Sequence, residues 1–268
     1  MAGVPLPDAE TEADLNKYPW PDPKDRSRIA GLTEQIKAAH AAGEKVLMLC
    51  NATPGLWEHS WYVFGLEKAF MDLAGNLRLM EAFTERLLEW QMAYWDMALD
   101  EVGEYVDLVQ LNEDLGTQRG PMMAPATFRQ IYKPRMRRLV EHIHKKTKAR
   151  IYLHSCGSIY RFIPDIIEIG IEVLNPVQVN AVEMDSARLK REFGKDLTFW
   201  GGGCDPVVLQ NGSPEDVAKE VKRRIHDLAP GGGFVFGSVH NIQAKVPVEN
   251  IVALFDAARE FGGYPIQA

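Results

Sequence analysis

From about residue 26 onward, short apolar runs alternate with longer segments of helical period. Lys45 to Cys50, Tyr105 to Leu111, Arg150 to Leu153, Glu172 to Leu174, Leu197 to Trp200 and Phe234 to Phe236 are compact, β-branched or aromatic runs that read as strands. The segments between them carry helix signals. One covers roughly 26–42 and stops at Gly43; two more cover about 64–74 and 76–102, the latter with a stripe through Leu79, Phe83, Leu87, Trp90 and Tyr94. Further helices are expected over about 125–147 and 159–169, after Asp185, after Ser213-Pro214-Glu215-Asp216 and after Pro247. Six strands, each followed by a helix, predict a parallel sheet wrapped by helices. Pro5, Pro7, Pro19, Pro21 and Pro23 predict an extended, poorly ordered lead-in over residues 1–25, leaving 26–268 as a single domain.

Two α/β architectures fit that rhythm. No G-x-G-x-x-G follows the first strand and no G-x-x-x-x-G-K-[ST] is present; Gly201-Gly202-Gly203 and Gly231-Gly232-Gly233 read as turn glycines. A TIM-type (β/α) barrel is therefore favoured over a nucleotide-binding doubly wound sheet, and 268 residues suffice for one barrel. Only six βα units are recognisable, so the barrel is expected to be incomplete. Two absent strands would leave open sheet edges, to be covered by the lead-in and long helices or by a second subunit, in a homo-oligomer or otherwise.

Composition narrows the partners. A formal charge of −7 argues against nucleic acid and anionic membrane, both of which need clustered Lys and Arg. Arg135-Met136-Arg137-Arg138 and Lys145-Lys146 sit in a predicted helix and read as a solvated face. The N-terminus has no apolar signal region and no run is long enough to span a bilayer. Three scattered cysteines fit reduced thiols in the cytoplasm.

The chemistry concentrates after the strands. Asn51 follows the first; Asn112, Glu113 and Asp114 the second; His154, Ser155 and Cys156 the third; Asn175 and Gln178 the fourth; Cys204 and Asp205 the fifth; His240, Asn241 and Gln243 the sixth. In a barrel those loops converge on the face that carries active sites. Polar βα loops are ordinary, which accounts for the Asn and Ser residues but hardly for the two cysteines. His154 and Cys156 stand two residues apart on an extended segment, so their side chains point the same way. With Cys204, two thiolates and an imidazole would select zinc and leave an open coordination position. A buried core cysteine and a histidine held by a carbonyl is the competing reading, and spacing alone does not separate them. Cys50 reads as a small hydrophobe. His240 fits a substrate contact, a general acid or a structural hydrogen bond equally. Trp57 and Trp61 fit either a pocket wall or core packing.

Leu153-His154-Ser155-Cys156-Gly157-Ser158, Leu174-Asn175-Pro176-Val177-Gln178, Phe199-Trp200-Gly201-Gly202-Gly203-Cys204-Asp205 and the closing Val239-His240-Asn241-Ile242-Gln243 resemble the uroporphyrinogen decarboxylase superfamily. The chain looks most like its methyltransferase branch, used in corrinoid-dependent methyl transfer and O-demethylation. The resemblance runs from about Asp14 onward. It implies a (β/α)8-type barrel, of which the two N-terminal βα units are missing here, and an H-x-C…C zinc site at His154, Cys156 and Cys204. It also implies a zinc-bound thiol made nucleophilic toward a methyl donor, or a methyl ether activated for transfer to the cobalt of a corrinoid protein.

The expected activity is thus a zinc-dependent methyltransferase acting between a small methylated substrate or methylcobalamin on a corrinoid protein and a thiol or corrinoid acceptor. Asp205, Glu113 and His240 are candidates for proton handling, and Asn51, Trp57, Asn175, Gln178 and Asn241 for substrate contact. Related methionine synthases take a carboxylate ligand from the next strand end, where this chain has Asn175 to Gln178, so the fourth position stays open. The rivals are a metal-free decarboxylase acting on a tetrapyrrole, for which the clustered arginines are missing, and a non-catalytic truncated barrel subunit.

Overall fold

The computed structural model describes residues 3–50 and 53–266. Its helices are α1 (Leu32–Ala42), α2 (Leu56–Phe64), α3 (Leu66–Gly75), α4 (Leu77–Val102), α5 (Pro125–Thr127), α6 (Lys133–His144), α7 (Ile163–Ile169), α8 (Ser186–Phe193), α9 (Pro206–Asn211), α10 (Pro214–Leu228) and α11 (Val248–Phe261). Its strands are β1 (Met48–Leu49), β2 (Leu108–Asn112), β3 (Arg150–His154), β4 (Val173–Asn175), β5 (Thr198–Trp200) and β6 (Phe234–Val235), in the order β1-β2-β3-β4-β5-β6. All six expected strands are present, their ends shifted from those of the apolar runs by up to three residues, with β2, β3 and β4 each reaching one residue further, to Asn112, His154 and Asn175. No described helix is long and apolar enough to cross a membrane.

The chain divides into two compact units. The first comprises Met1–Asp114, Met123–Tyr152 and Glu168–Gly170. Here β1 and β2 pair in parallel, Met48 opposite Leu108 and Leu49 opposite Val109. The core is built on α4, which buries Leu79, Met80, Phe83, Leu87, Leu88, Tyr94, Trp95 and Ala98 at helical spacing.

The lead-in is ordered, contrary to expectation. Leu6, Ala9 and Leu15 are buried, and a 3-10 helix runs from Glu12 to Lys17 behind a Thr11/Asp14 capping box. The Leu6 N–H donates to the Val63 carbonyl (2.8 Å), and the Trp90 indole to the Pro21 carbonyl (2.6 Å). The Arg86 guanidinium lies 5.1 Å from the Trp20 ring. Proline forbids an α-helix there, yet the apolar residues between the prolines still find a surface.

Two further differences are local. The stretch around Trp57 and Trp61 is helical, as α2. The helix expected over 125–147 contains a π-turn at Phe128–Tyr132, where the Lys133 N–H donates to the Phe128 carbonyl. Pro134 follows directly and has no N–H for the Gln130 carbonyl, which is why the regular ladder breaks at this point.

The second unit comprises Leu115–Met122, Leu153–Ile167 and Ile171–Ala268. β4, β5 and β6 pair in parallel, with Val173 opposite Thr198, Leu174 opposite Phe199, and Trp200 opposite Val235. α10 starts where its sequence signal lies, with the Ser213 hydroxyl accepting from the Asp216 N–H and the Asp216 carboxylate accepting in return. Val217, Val221 and Ile225 of α10 join Leu254 and Ala257 of α11 in one apolar cluster with Leu209 and Cys204.

Candidate metal centre

The site is built at the end of β3, in the second unit. The strand alternates, so His154 and Cys156 emerge on one side while Ser155 turns inward and is buried. The Ser155 N–H donates to the Asn175 carbonyl (2.7 Å) and its hydroxyl accepts from the Leu115 N–H (3.2 Å). His154 Nε2 stands 3.4 Å from Cys156 Sγ, and the His154 and His240 rings meet edge to face at 6.0 Å between centroids. One ligand-capable atom from each of His154, Cys156 and His240 falls within 4.8 Å of the others. His154 and Cys156 are half-buried and His240 is exposed, so the cluster opens to solvent.

Cys204 is not part of that 4.8 Å group. It is 1% exposed in the apolar cluster, with its thiol 3.5 Å from the Asp205 carbonyl. Burial pushes that thiol up to about 12. The structure thus brings together two of the three expected ligands and adds a histidine whose role had been left open.

Glycines make the convergence possible. The N–H groups of Gly201 and Gly203 donate to the carbonyls of Val235 and Gly237, both at 2.9 Å, holding the end of β5 against the segment that leads to His240. A Cβ on Gly203 would lie 2.4 Å from the Phe236 ring, and one on Gly202 2.7 Å from Val177. Beside the cluster, Gly157 has φ +86°, and a Cβ there would stand 2.3 Å from the Gly116 backbone. Gly157→Ala is expected to cost at least about 1–3 kcal/mol, because neither the backbone conformation nor the crossing tolerates a side chain. A lowered thermal midpoint is the readout, and an unchanged one would contradict the crossing.

The remaining expected site residues fall into three groups. Asn175 and Gln178 lie beside the cluster: Asn175 Oδ1 accepts from His154 Nδ1 (2.8 Å), and Gln178 Oε1 accepts from the Gly157 N–H (2.7 Å) while its Nε2 donates to Gln118 (2.8 Å). Asp205 caps α9 by accepting from the Val207 N–H, and Asn241 is exposed next to His240. Trp57 and Glu113 belong to the first unit. Trp57 is fully buried, packed 5.1 Å from Phe70 and 5.6 Å from Trp61, so it is core rather than pocket wall. Glu113 is buried and accepts three backbone N–H groups at the start of α2, from Leu56 (2.6 Å), Trp57 (2.9 Å) and Glu58 (3.1 Å). Burial outweighs those bonds and pushes Glu113 up to about 8. Asn51 lies outside the described residues.

A family profile described as Uroporphyrinogen decarboxylase (URO-D) matches residues 3–261. Among curated proteins, the uroporphyrinogen decarboxylase of Alkalilimnicola ehrlichii is 41% identical over 59 residues, which is 22% of this chain and 16% of that protein. That of Rickettsia canadensis is 26% identical over 123 residues, 46% of this chain and 33% of the relative. That of Pseudoalteromonas atlantica is 20% identical over 260 residues, 93% of this chain and 68% of the relative. Among solved structures, a methyltransferase from Methanosarcina mazei superposes with a TM-score of 0.67 at 20% identity, over 98% of this chain and 72% of that one. That likeness establishes a shared α/β, TIM-like fold.

Proposed function

The chain belongs to the uroporphyrinogen decarboxylase family, and we propose that within it this protein is a zinc-dependent methyltransferase. The observation that carries the reading is the cluster of His154, Cys156 and His240, whose ligand atoms lie within 4.8 Å of one another. Tetrahedral zinc, with ligands at about 2.0–2.3 Å, has ligand–ligand edges of about 3.3–3.8 Å. The 3.4 Å between His154 Nε2 and Cys156 Sγ is already such an edge, and mixed imidazole and thiolate donors suit that ion. Three protein donors leave one position for a substrate.

Zinc held there supplies Lewis acidity, lowering the pKa of a bound thiol or polarising the oxygen of a methyl ether. The chain's own residues set how strongly. One thiolate and two neutral imidazoles leave more positive charge on the ion than two thiolates would. Gln178, through the Gly157 N–H, holds the turn that carries Cys156. Exposed His240 makes the centre reachable by a small methylated substrate, or by methylcobalamin on a corrinoid protein, with a thiol or corrinoid as acceptor. The name borne by the Methanosarcina mazei structure supports this choice of chemistry. On the same reading the barrel is incomplete, its six strands running in chain order, with a second subunit over its open edges.

The test is methyl transfer from methylcobalamin to a small thiol, followed by the cobalamin spectrum and thioether formation. Transfer is expected with zinc, and His154→Ala should reduce it by more than about 100-fold. The curated relatives bear the name of decarboxylases. Metal-free protein that decarboxylates uroporphyrinogen and transfers no methyl group would replace our reading with theirs.

A further inference from the structure

We propose that Asn175 is a positioning residue that sets the tautomer of His154 and keeps Nε2 free for the metal. This deepens the reading above and rests on it for the metal, though not for the tautomer. The assignment follows from which atoms can only accept. Asn175 Nδ2 lies 3.1 Å from the Trp200 backbone carbonyl. A carbonyl oxygen has no proton to give, so the amide must present its NH2 there. The opposite orientation would set two oxygens against each other. Asn175 Oδ1 is then the atom 2.8 Å from His154 Nδ1. It too only accepts, so Nδ1 carries the ring proton. In the neutral ring Nε2 is left with its lone pair, and that is the atom 3.4 Å from Cys156 Sγ.

The backbone holds this arrangement from both sides. The Asn175 carbonyl accepts from the Ser155 N–H at 2.7 Å, tying β4 to the turn between the two ligands. Gly201, at φ +83°, passes so close that a Cβ would stand 3.3 Å from Asn175 Nδ2 and 2.9 Å from the Ser238 carbonyl. The end of β5 therefore reaches His154 through one amide. Without that amide the imidazole can place its proton on either nitrogen, and the Nε2–H form cannot bind a metal through that atom.

The test uses full-length, metal-free protein labelled with 15N-histidine, read by long-range proton–nitrogen correlation, with His154→Gln identifying the resonances. Wild-type protein should show His154 protonated at Nδ1 and bare at Nε2. Asn175→Ala should move the proton toward Nε2 and weaken zinc binding by about 10–100-fold. A proton on Nε2 in wild type overturns the proposal, as does an Asn175→Ala spectrum identical to wild type. Because the tautomer is read without metal, a protein that shows it yet binds no zinc would overturn the proposed function instead.

Discussion

Replacing Cys156 with serine should abolish stoichiometric zinc, whereas replacing Cys204 with serine should leave the zinc in place. Cys156 offers the one thiolate of the cluster, 3.4 Å from His154 Nε2. Groups that only hydrogen-bond a metal ligand are worth about 10–100-fold in affinity, so losing a direct ligand should exceed about 100-fold. His240→Ala should behave like Cys156→Ser if, as proposed, His240 supplies the third donor. Cys204→Ser tests something different. It puts a hydroxyl among Leu209, Val217 and Leu254, where an unsatisfied polar group costs about 1–3 kcal/mol of stability. Metal content after dialysis and urea unfolding, measured on all three variants, separate the two roles. Zinc lost from a folded Cys204→Ser protein would sink the three-residue assignment, and full zinc in Cys156→Ser would do the same.

That contrast shows where sequence reasoning reached its limit. His154 and Cys156 are legible because the period of a strand places positions i and i+2 on one side, whatever the tertiary context. The third donor comes from a different βα loop, and no local period says which strand-end residue reaches across. Residue type favours Cys204, a thiol, over an exposed histidine, whereas the cluster of ligand atoms contains His240. Gly201 to Gly203 let β5 run against residues 235–237, which lead to His240, and Cys204 packs in the apolar cluster. Those glycines read in the sequence as a turn. Only the close approach of two backbones reveals what they are for.

The same distinction runs through the fold. Strand positions were legible, because apolar runs bounded by turn residues need no distant partner to be recognised. The order in residues 1–25 was not. Five prolines signal the absence of an α-helix, but Leu6, Leu15 and Trp20 pack against surfaces that are remote in sequence. Asn175 was legible as a polar residue at a strand end. Its hydrogen bond to His154 depends on the Trp200 carbonyl, which no side-chain pattern can show.

Glu113 should make the protein lose stability as pH rises, and Glu113→Gln should remove that slope. Its folded-state pKa of about 8 stands above the ordinary 4.5. The folded protein therefore keeps a proton that the unfolded chain has released, and stability present below pH 4.5 drains away up to pH 8. One proton of difference corresponds to about 1.4 kcal/mol per pH unit, an order-of-magnitude slope in that window. The N–H groups of Leu56, Trp57 and Glu58 oppose the shift, but the residue is 1% exposed and desolvation wins. Glutamine cannot ionise, yet its NH2 replaces one of the two accepting oxygens at the start of α2. That leaves at least one N–H poorly satisfied, at a cost of about 1–3 kcal/mol at every pH. The two stability curves should consequently cross: wild type is the more stable protein at pH 5, and the variant matches or exceeds it at pH 8. Urea unfolding of both proteins at pH 5, 6, 7 and 8 reads the crossing directly, and histidines titrating in the same range cancel in the difference. Parallel curves would mean that Glu113 is ionised throughout, with the three N–H groups rather than burial setting its state.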